Sequence, residues 1–231
     1  MLSVSECARV RQAITRGPSI AIRTRSYSSR HRVYVDRVLS LYLYELGLIH
    51  LHNNLAYCIH ELAGNARNAL LKRLWFREQG IDIGERGSNY AEAVRRFRRE
   101  VGERPQHFLE LLESSGDWIL FRFSATPRQV RISVENTGRL LPVEMERVRE
   151  KLAAAERFQS VADAYGALSD FSEGAGLGIA MVVVILKRLG LPAQTLRIGN
   201  GAAHENVTRA LLVLDRTSAA ADSALVQEVQ P

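Results

Sequence analysis

The chain has 231 residues, 46% of them apolar and 24% charged, enough for one buried core with appended segments and too apolar for intrinsic disorder. Its best apolar run, Ile179 to Leu189, is shorter than a bilayer requires and ends across Lys187 and Arg188, so no membrane span is expected. The net charge of +6 resides within residues 1–37, where eight arginines face only Glu6 and Asp36; the remainder is neutral, so the basic character belongs to an N-terminal segment.

Cys7 and Cys58 lie far apart and in no zinc spacing. That usage fits a reducing compartment, and the expected location is the cytoplasm. Residues 1–17 read as a basic N-terminal tail. Its Arg and Ser content also resembles a transit peptide, with Arg25 to Ser29 as the processing stretch. Against that, Ser19 to Tyr27 alternates apolar and polar residues like an edge strand, and Ser28 or Ser29 can cap a following helix. No aromatic interleaving accompanies the arginines, so nucleic acid is not an expected partner.

Apolar residues at helical spacing predict a helix over 30–47, closed by Gly47, and a second from His50 to Phe76. Residues 77–88, with three glycines, read as a loop. A helical insert follows over 89–115, in two helices divided near Gly102 to Pro105. Its arginine run, Arg95, Arg96, Arg98 and Arg99, reads as a solvated face, with a phosphate-binding patch as the rival reading. Trp118–Phe123 and Gln129–Glu135 alternate as strands. Pro142 opens a helix to about Phe158, and Gly176 to Leu189 reads as a buried helix stopped by Gly190 and Pro192. Thr195–Ile198 and Thr208–Leu214 are the last strands. Residues 18–215 thus form one α+β domain, a sheet with helices packed on one face, and 216–231 read as a flexible tail.

Three groups of residues carry chemistry. Glu61 and Asn65 sit four apart on the second helix, on one face, with Asn68, Lys72 and Arg73 continuing at about one-turn steps. A carboxylate, an amide oxygen and a cation in a row suit Mg²⁺ and phosphate, although an ordinary polar helix face has the same pattern. Glu173-Gly-Ala-Gly-Leu-Gly178 opens a helix with alternate glycines, which lets backbone N–H groups approach an anion at a helix N-terminus. No strand precedes it as a dinucleotide fold requires, and no Gly-Lys-Ser/Thr follows, so the Rossmann and Walker readings fail. Ile132 to Gly138 is a strand ending in Asn136 and Gly138, where an amide oxygen could accept from an adenine amine. By itself that segment is equally a plain strand-ending turn.

In this order the three groups resemble the GHKL superfamily of gyrase, chaperone and histidine-kinase ATPases. Glu61-Leu-Ala-Gly-Asn65-Ala66 matches its N box, Asn136-Thr-Gly138-Arg-Leu140 its adenine box, and Gly174-Ala-Gly176-Leu177-Gly178-Ile179-Ala180 its lid. Thr208 opens the last strand, where the family carries Gly-Thr. The resemblance spans about residues 50–214 and extends to stand-alone ATPase-domain proteins of bacterial signalling. It implies a Bergerat-type two-layer α/β sandwich with a mixed sheet. It also implies ATP and Mg²⁺ as ligands, Glu61 as general base and Asn65 as the metal ligand. ATP contacts would come from Asn65, Asn68, Lys72, Asn136, Gly138, Gly174, Gly176, Leu177, Gly178 and Thr208. Two positions depart from the pattern: Asn136 replaces aspartate and Leu140 replaces glycine, which weakens the adenine end more than the phosphate end. His31, His50, His52 and His60 lie near helices, none in the setting of a phosphoacceptor. The expected function is therefore ATP-dependent phosphotransfer to a protein partner, of response-regulator or sigma/anti-sigma type, or ATP hydrolysis, with a homodimer also compatible. The alternative is a catalytically degenerate, nucleotide-sensing module.

Overall fold

The computed structural model describes residues 2–17, 19–81, 90–158, 160, 162–164, 175–202 and 205–216. In chain order these form α1 (Val4–Arg16), β1 (Ile20–Thr24), α2 (Ser29–Glu45), a 3₁₀ turn (Ile49–Leu51) and α3 (His52–Glu78). Then come α4 (Tyr90–Glu103), α5 (Pro105–Ser114), β2 (Ile119–Ala125), β3 (Gln129–Thr137) and α6 (Pro142–Ala155). The last elements are α7 (Ala175–Arg188), β4 (Leu196–Asn200) and β5 (Val207–Asp215).

The strands form one open sheet in the order β1-β2-β3-β5-β4. Every neighbouring pair is antiparallel, so the mixed sheet expected from the resemblance is corrected. The chain leaves β3 for the helical layer, returns as β4 on the far edge, and then turns back so that β5 fills the space beside β3. That last reversal makes both β5 pairings antiparallel.

Alternation assigns the two faces. Ile119, Phe121 and Phe123 of β2, Val130, Ile132 and Val134 of β3, and Ala210, Leu212 and Leu214 of β5 are all buried beneath the helices. The 27-residue α3 packs across β2 and β3 and also meets α2, α5 and α7. Its Leu55, Ile59, Leu62, Leu70 and Trp75 sit in the core, each contributing roughly 1.5–3 kcal/mol through burial. On the opposite face, Glu135 is buried and receives Ser133 Oγ at 2.9 Å and Arg209 Nε at 3.0 Å.

Within the basic N-terminal segment, Val4–Arg16 form a helix with Ser3 as its N-cap and Gly17 as its C-cap. Ser3 and Glu6 form a reciprocal capping box at its start, Val10 is buried, and Arg11 Nε meets Glu45 Oε1 of α2 at 2.7 Å. β1 is an edge strand, as its alternation implied, and Ser28 is the N-cap residue of α2. The insert is two helices anchored by Trp75 Nε1, which donates to Glu100 Oε2 at 2.9 Å, while Arg96 and Arg104 pair with the same carboxylate. The C-terminal tail from residue 217 lies outside the described residues.

Candidate functional site

α3 turns its apolar stripe to the sheet and leaves Glu61 and Asn65, both half-buried, on its flank. Asn65 Nδ2 donates to Glu61 Oε1 at 3.4 Å. With the amide nitrogen serving the carboxylate, the amide oxygen is the hard donor left for a cation. Against this pair lies the first turn of α7. A Cβ built on Gly178 would overlap the Glu61 carboxylate and stand 2.9 Å from Glu61 Cγ, so the glycine permits this close approach. The Glu61 carboxylate therefore lies at the electropositive end of α7.

The second cluster forms where β3 and β5 end. Asn136 is 4% exposed and sits on the helix-covered face, between Ile119 and Thr208 in register. Its Nδ2 donates to the Thr137 carbonyl at 2.8 Å. Gly138 takes a left-handed φ of 87°, which its lack of Cβ allows. Its carbonyl accepts from Thr208 Oγ1 at 2.7 Å, and its N–H donates to the Asn206 carbonyl at 2.8 Å. Leu140 is held in the same way: its N–H donates to Asn200 Oδ1 at 2.7 Å, and its carbonyl accepts from Asn200 Nδ2 at 3.2 Å.

Arg73 joins this end to α3. It donates to the Thr137 carbonyl at 3.1 Å and the Arg139 carbonyl at 2.8 Å. The guanidinium stands directly over Gly138; a Cβ there would overlap Nη1 and lie 2.9 Å from Cζ. Glu144, in the first turn of α6, receives Lys72 Nζ at 3.0 Å, Arg73 Nη2 at 3.3 Å and the Leu141 N–H at 3.1 Å. Burial pushes the Glu144 carboxyl up, but Lys72, the Leu141 N–H and Arg73 outweigh it and hold it below the ordinary glutamate range.

The structure thus brings Glu61, Asn65 and Gly178 together, and separately Asn136, Gly138 and Thr208. Asn68 is exposed on α3, and Leu177 is half-buried on α7. Gly176 lies in the first turn of α7, and Gly174 is outside the described residues. Lys72, expected at phosphate, is paired with Glu144. The sequence did not single out Glu144, Asn200 and Asn206; their signal was limited to an acid at N3 after Pro142 and to asparagines beside strand ends. Among the described residues, no group of three or more His, Cys, Asp or Glu side chains is placed to hold a metal ion.

Three of the histidines have partners of their own. His31 closes the N-terminal turn of α2 through Ser28, and His60 Nδ1 meets the Tyr27 hydroxyl. His60 Nε2 and His52 Nε2 lie 3.7 Å and 3.4 Å from the same Asp36 oxygen. Burial, followed by Arg32, lowers the pKa of His60 despite Asp36.

Among curated proteins the chain is similar to an uncharacterized protein of Treponema pallidum (strain Nichols), at 32% identity over 195 residues. The match takes in 84% of this chain but 38% of the relative, so the chain spans well under half of that protein's length. No family model matches the chain. No solved structure matches it.

Proposed function

We propose that this chain is a nucleotide-binding signalling protein that takes Mg-ATP between α3 and the first turn of α7, in a sandwich of the Bergerat type. The observation that carries the reading is the seating of Gly178 on the Glu61–Asn65 pair. Two segments far apart in sequence, each a weak signal alone, meet at one point. The second support is spacing. Asn65 and Arg73 are eight residues apart on α3, about 12 Å along the axis. That separates a phosphate end at Glu61 and Asn65 from a base end at Asn136 and Gly138 on the scale of a nucleoside triphosphate.

In this reading the N–H groups of the first turn of α7 face the phosphates, where the helix dipole favours negative charge. The donor set at Glu61 and Asn65 is all oxygen and suits Mg²⁺, which keeps several waters and shares phosphate oxygens rather than needing an all-protein cage. The metal would supply charge neutralisation at the phosphates. Glu61 would accept the proton of an attacking hydroxyl of a partner protein or of water, as the attacking oxygen bonds the γ-phosphorus and the bond to the β,γ-bridging oxygen breaks to release ADP. The partner is a protein of response-regulator or sigma/anti-sigma type, and the reaction takes place in the cytoplasm.

A second reading is favoured by Lys72 and Arg73, both drawn to Glu144, and by Arg73 covering Gly138. In that case the chain senses nucleotide without turning it over. Incubation with γ-labelled ATP and Mg²⁺ separates the two. Phosphate release or transfer that Glu61→Gln abolishes, with ATP binding retained, supports catalysis; binding with no turnover supports sensing. Absence of any ATP binding overturns both.

A further inference from the structure

We propose that the groove between α1 and the open edge of β1 binds an extended acidic peptide segment as an added strand of the sheet. β1 is the first strand in the sheet order, and β2 takes its inner edge. Among the described residues no strand pairs with its outer edge. Such an edge presents unpaired backbone donors and acceptors, and proteins usually blunt it. The run Ile20-Ala-Ile-Arg-Thr24 has no proline.

A cavity of about 480 Å³ lies along this strand, within the range that ligand sites occupy. Ser19, Ile20, Ala21 and Ile22 line it in succession. The face of a strand shows alternate residues, whereas its edge shows consecutive ones. The consecutive lining brings the outer edge of β1 to the cavity, beside the helix-covered face on which Ile20 and Ile22 lie. Ala13 of α1, Tyr34 of α2 and Ile20 and Ile22 of β1, all half-buried, form the accessible apolar wall, with Val10 and Val38 buried behind it, a surface suited to alternate side chains of an added strand.

Charge selects the occupant. Arg9 and Arg16 line the cavity and are exposed. The one acid lining it, Glu6, is already engaged by Ser3 and by the Tyr34 hydroxyl. A second copy of β1 would bring a basic strand, with Arg23, against Arg9 and Arg16. The apolar wall gives nothing to a phosphate backbone. An extended peptide with acids alternating with small aliphatic residues satisfies both the wall and the rim. The groove opens at Ile20, while Thr24, at the other end of β1, shares a register row with Ile119 and Asn136. This binding function is therefore spatially separate from the nucleotide site and does not rest on it.

The test uses the full chain and the labelled probe peptide Glu-Val-Glu-Val-Glu-Val, read by fluorescence anisotropy. Saturable binding is expected, falling roughly tenfold or more in the double variant R9E/R16E. Both arginines are exposed, so that variant should fold, and circular dichroism verifies it. Two further probes carry N-methyl groups either on every valine or on every glutamate. Strand addition requires that one of them loses binding and the other keeps it, since only one edge of the peptide meets β1. The proposal is overturned by no saturable binding, by equal behaviour of the two methylated probes, or by equal affinity for Lys-Val-Lys-Val-Lys-Val. A dimer of the chain in sedimentation that R9E/R16E dissociates would also overturn it, by assigning the edge to a second copy.

Discussion

Replacing Gly178 with alanine sets a methyl group into the space that the Glu61 carboxylate holds. The new Cβ would stand 2.9 Å from Glu61 Cγ and overlap the carboxylate itself, so the Glu61 side chain must rotate. Glu61 is only half-buried, and such a displacement costs about 0.5–1.5 kcal/mol, the scale of an off-rotamer side chain. Against this, alanine stabilises a helical position by roughly 1 kcal/mol relative to glycine. The two terms nearly cancel, so G178A should change stability by less than about 1 kcal/mol, and Tm by no more than about 2–4 °C. In an E61A background the obstruction is gone and the helical term appears alone, a gain of about 1 kcal/mol. The coupling between the two sites is then roughly 1 kcal/mol, measurable by urea denaturation of the four proteins. ATP affinity should fall at least tenfold in G178A, because the displaced carboxylate leaves Asn65. Equal effects of G178A in both backgrounds would refute the packing argument, and unchanged ATP affinity would remove Gly178 from the site.

Gly138→Ala forces a methyl group into left-handed backbone, costing about 1–2 kcal/mol, and displaces Arg73 as well; a loss of roughly 2–3 kcal/mol is expected by denaturation, and a neutral result would contradict the role of Arg73 as a clamp. Glu144 has its folded pKa below the unfolded value. Its contribution is thus complete above about 4.5, the ordinary glutamate value, and is lost as pH falls through the lower folded one. E144Q should therefore flatten part of the acid-side stability loss, and parallel curves for variant and parent would exclude this ion cluster as a source. Cys58 is buried, and burial pushes its thiol up to about 12, whereas Cys7 is partly exposed. One thiol should react with a disulfide reagent in the native protein and both after unfolding; fast native reaction of Cys58 would contradict its burial.

Helices were the most legible part of the fold, because a 3.6-residue period repeats many times over α2 and α3. Alternation identified β1, β2 and β3 as strands, and β4 and β5 were legible as the last two, but a strand pattern holds no information about neighbours. The placement of β5 between β3 and β4 is a non-local choice, and an entirely antiparallel sheet follows from it. The helix at residues 4–16 is a different case. The capping box of Ser3 and Glu6 stands in the sequence, but arginines dominate the segment and Val10 is the one buried residue of the helix. At the site, Glu61 and Asn65 were legible because helical spacing alone puts them on one face. Gly178 was legible as a glycine that opens a helix, though its contact with Glu61 is tertiary. The clamp of Arg73 on Gly138 and the pairing of Lys72 with Glu144 depend on how α3 crosses β3 and meets α6, and spacing along one chain segment does not encode that. The sharing of Asp36 by His52 and His60 arises in the same way, from the packing of α2 on α3.

The proposed nucleotide site is built on α3, and its most direct measurement is calorimetric titration of ATP, with and without Mg²⁺, into the parent chain and Asn65→Ala. The amide oxygen of Asn65 is the proposed cation ligand and its nitrogen supports Glu61. Mg²⁺-dependent binding to the parent is expected, with a loss of at least about tenfold in the variant, equivalent to roughly 1.4 kcal/mol. Equal binding by both proteins, or binding by neither, would contradict the proposed site.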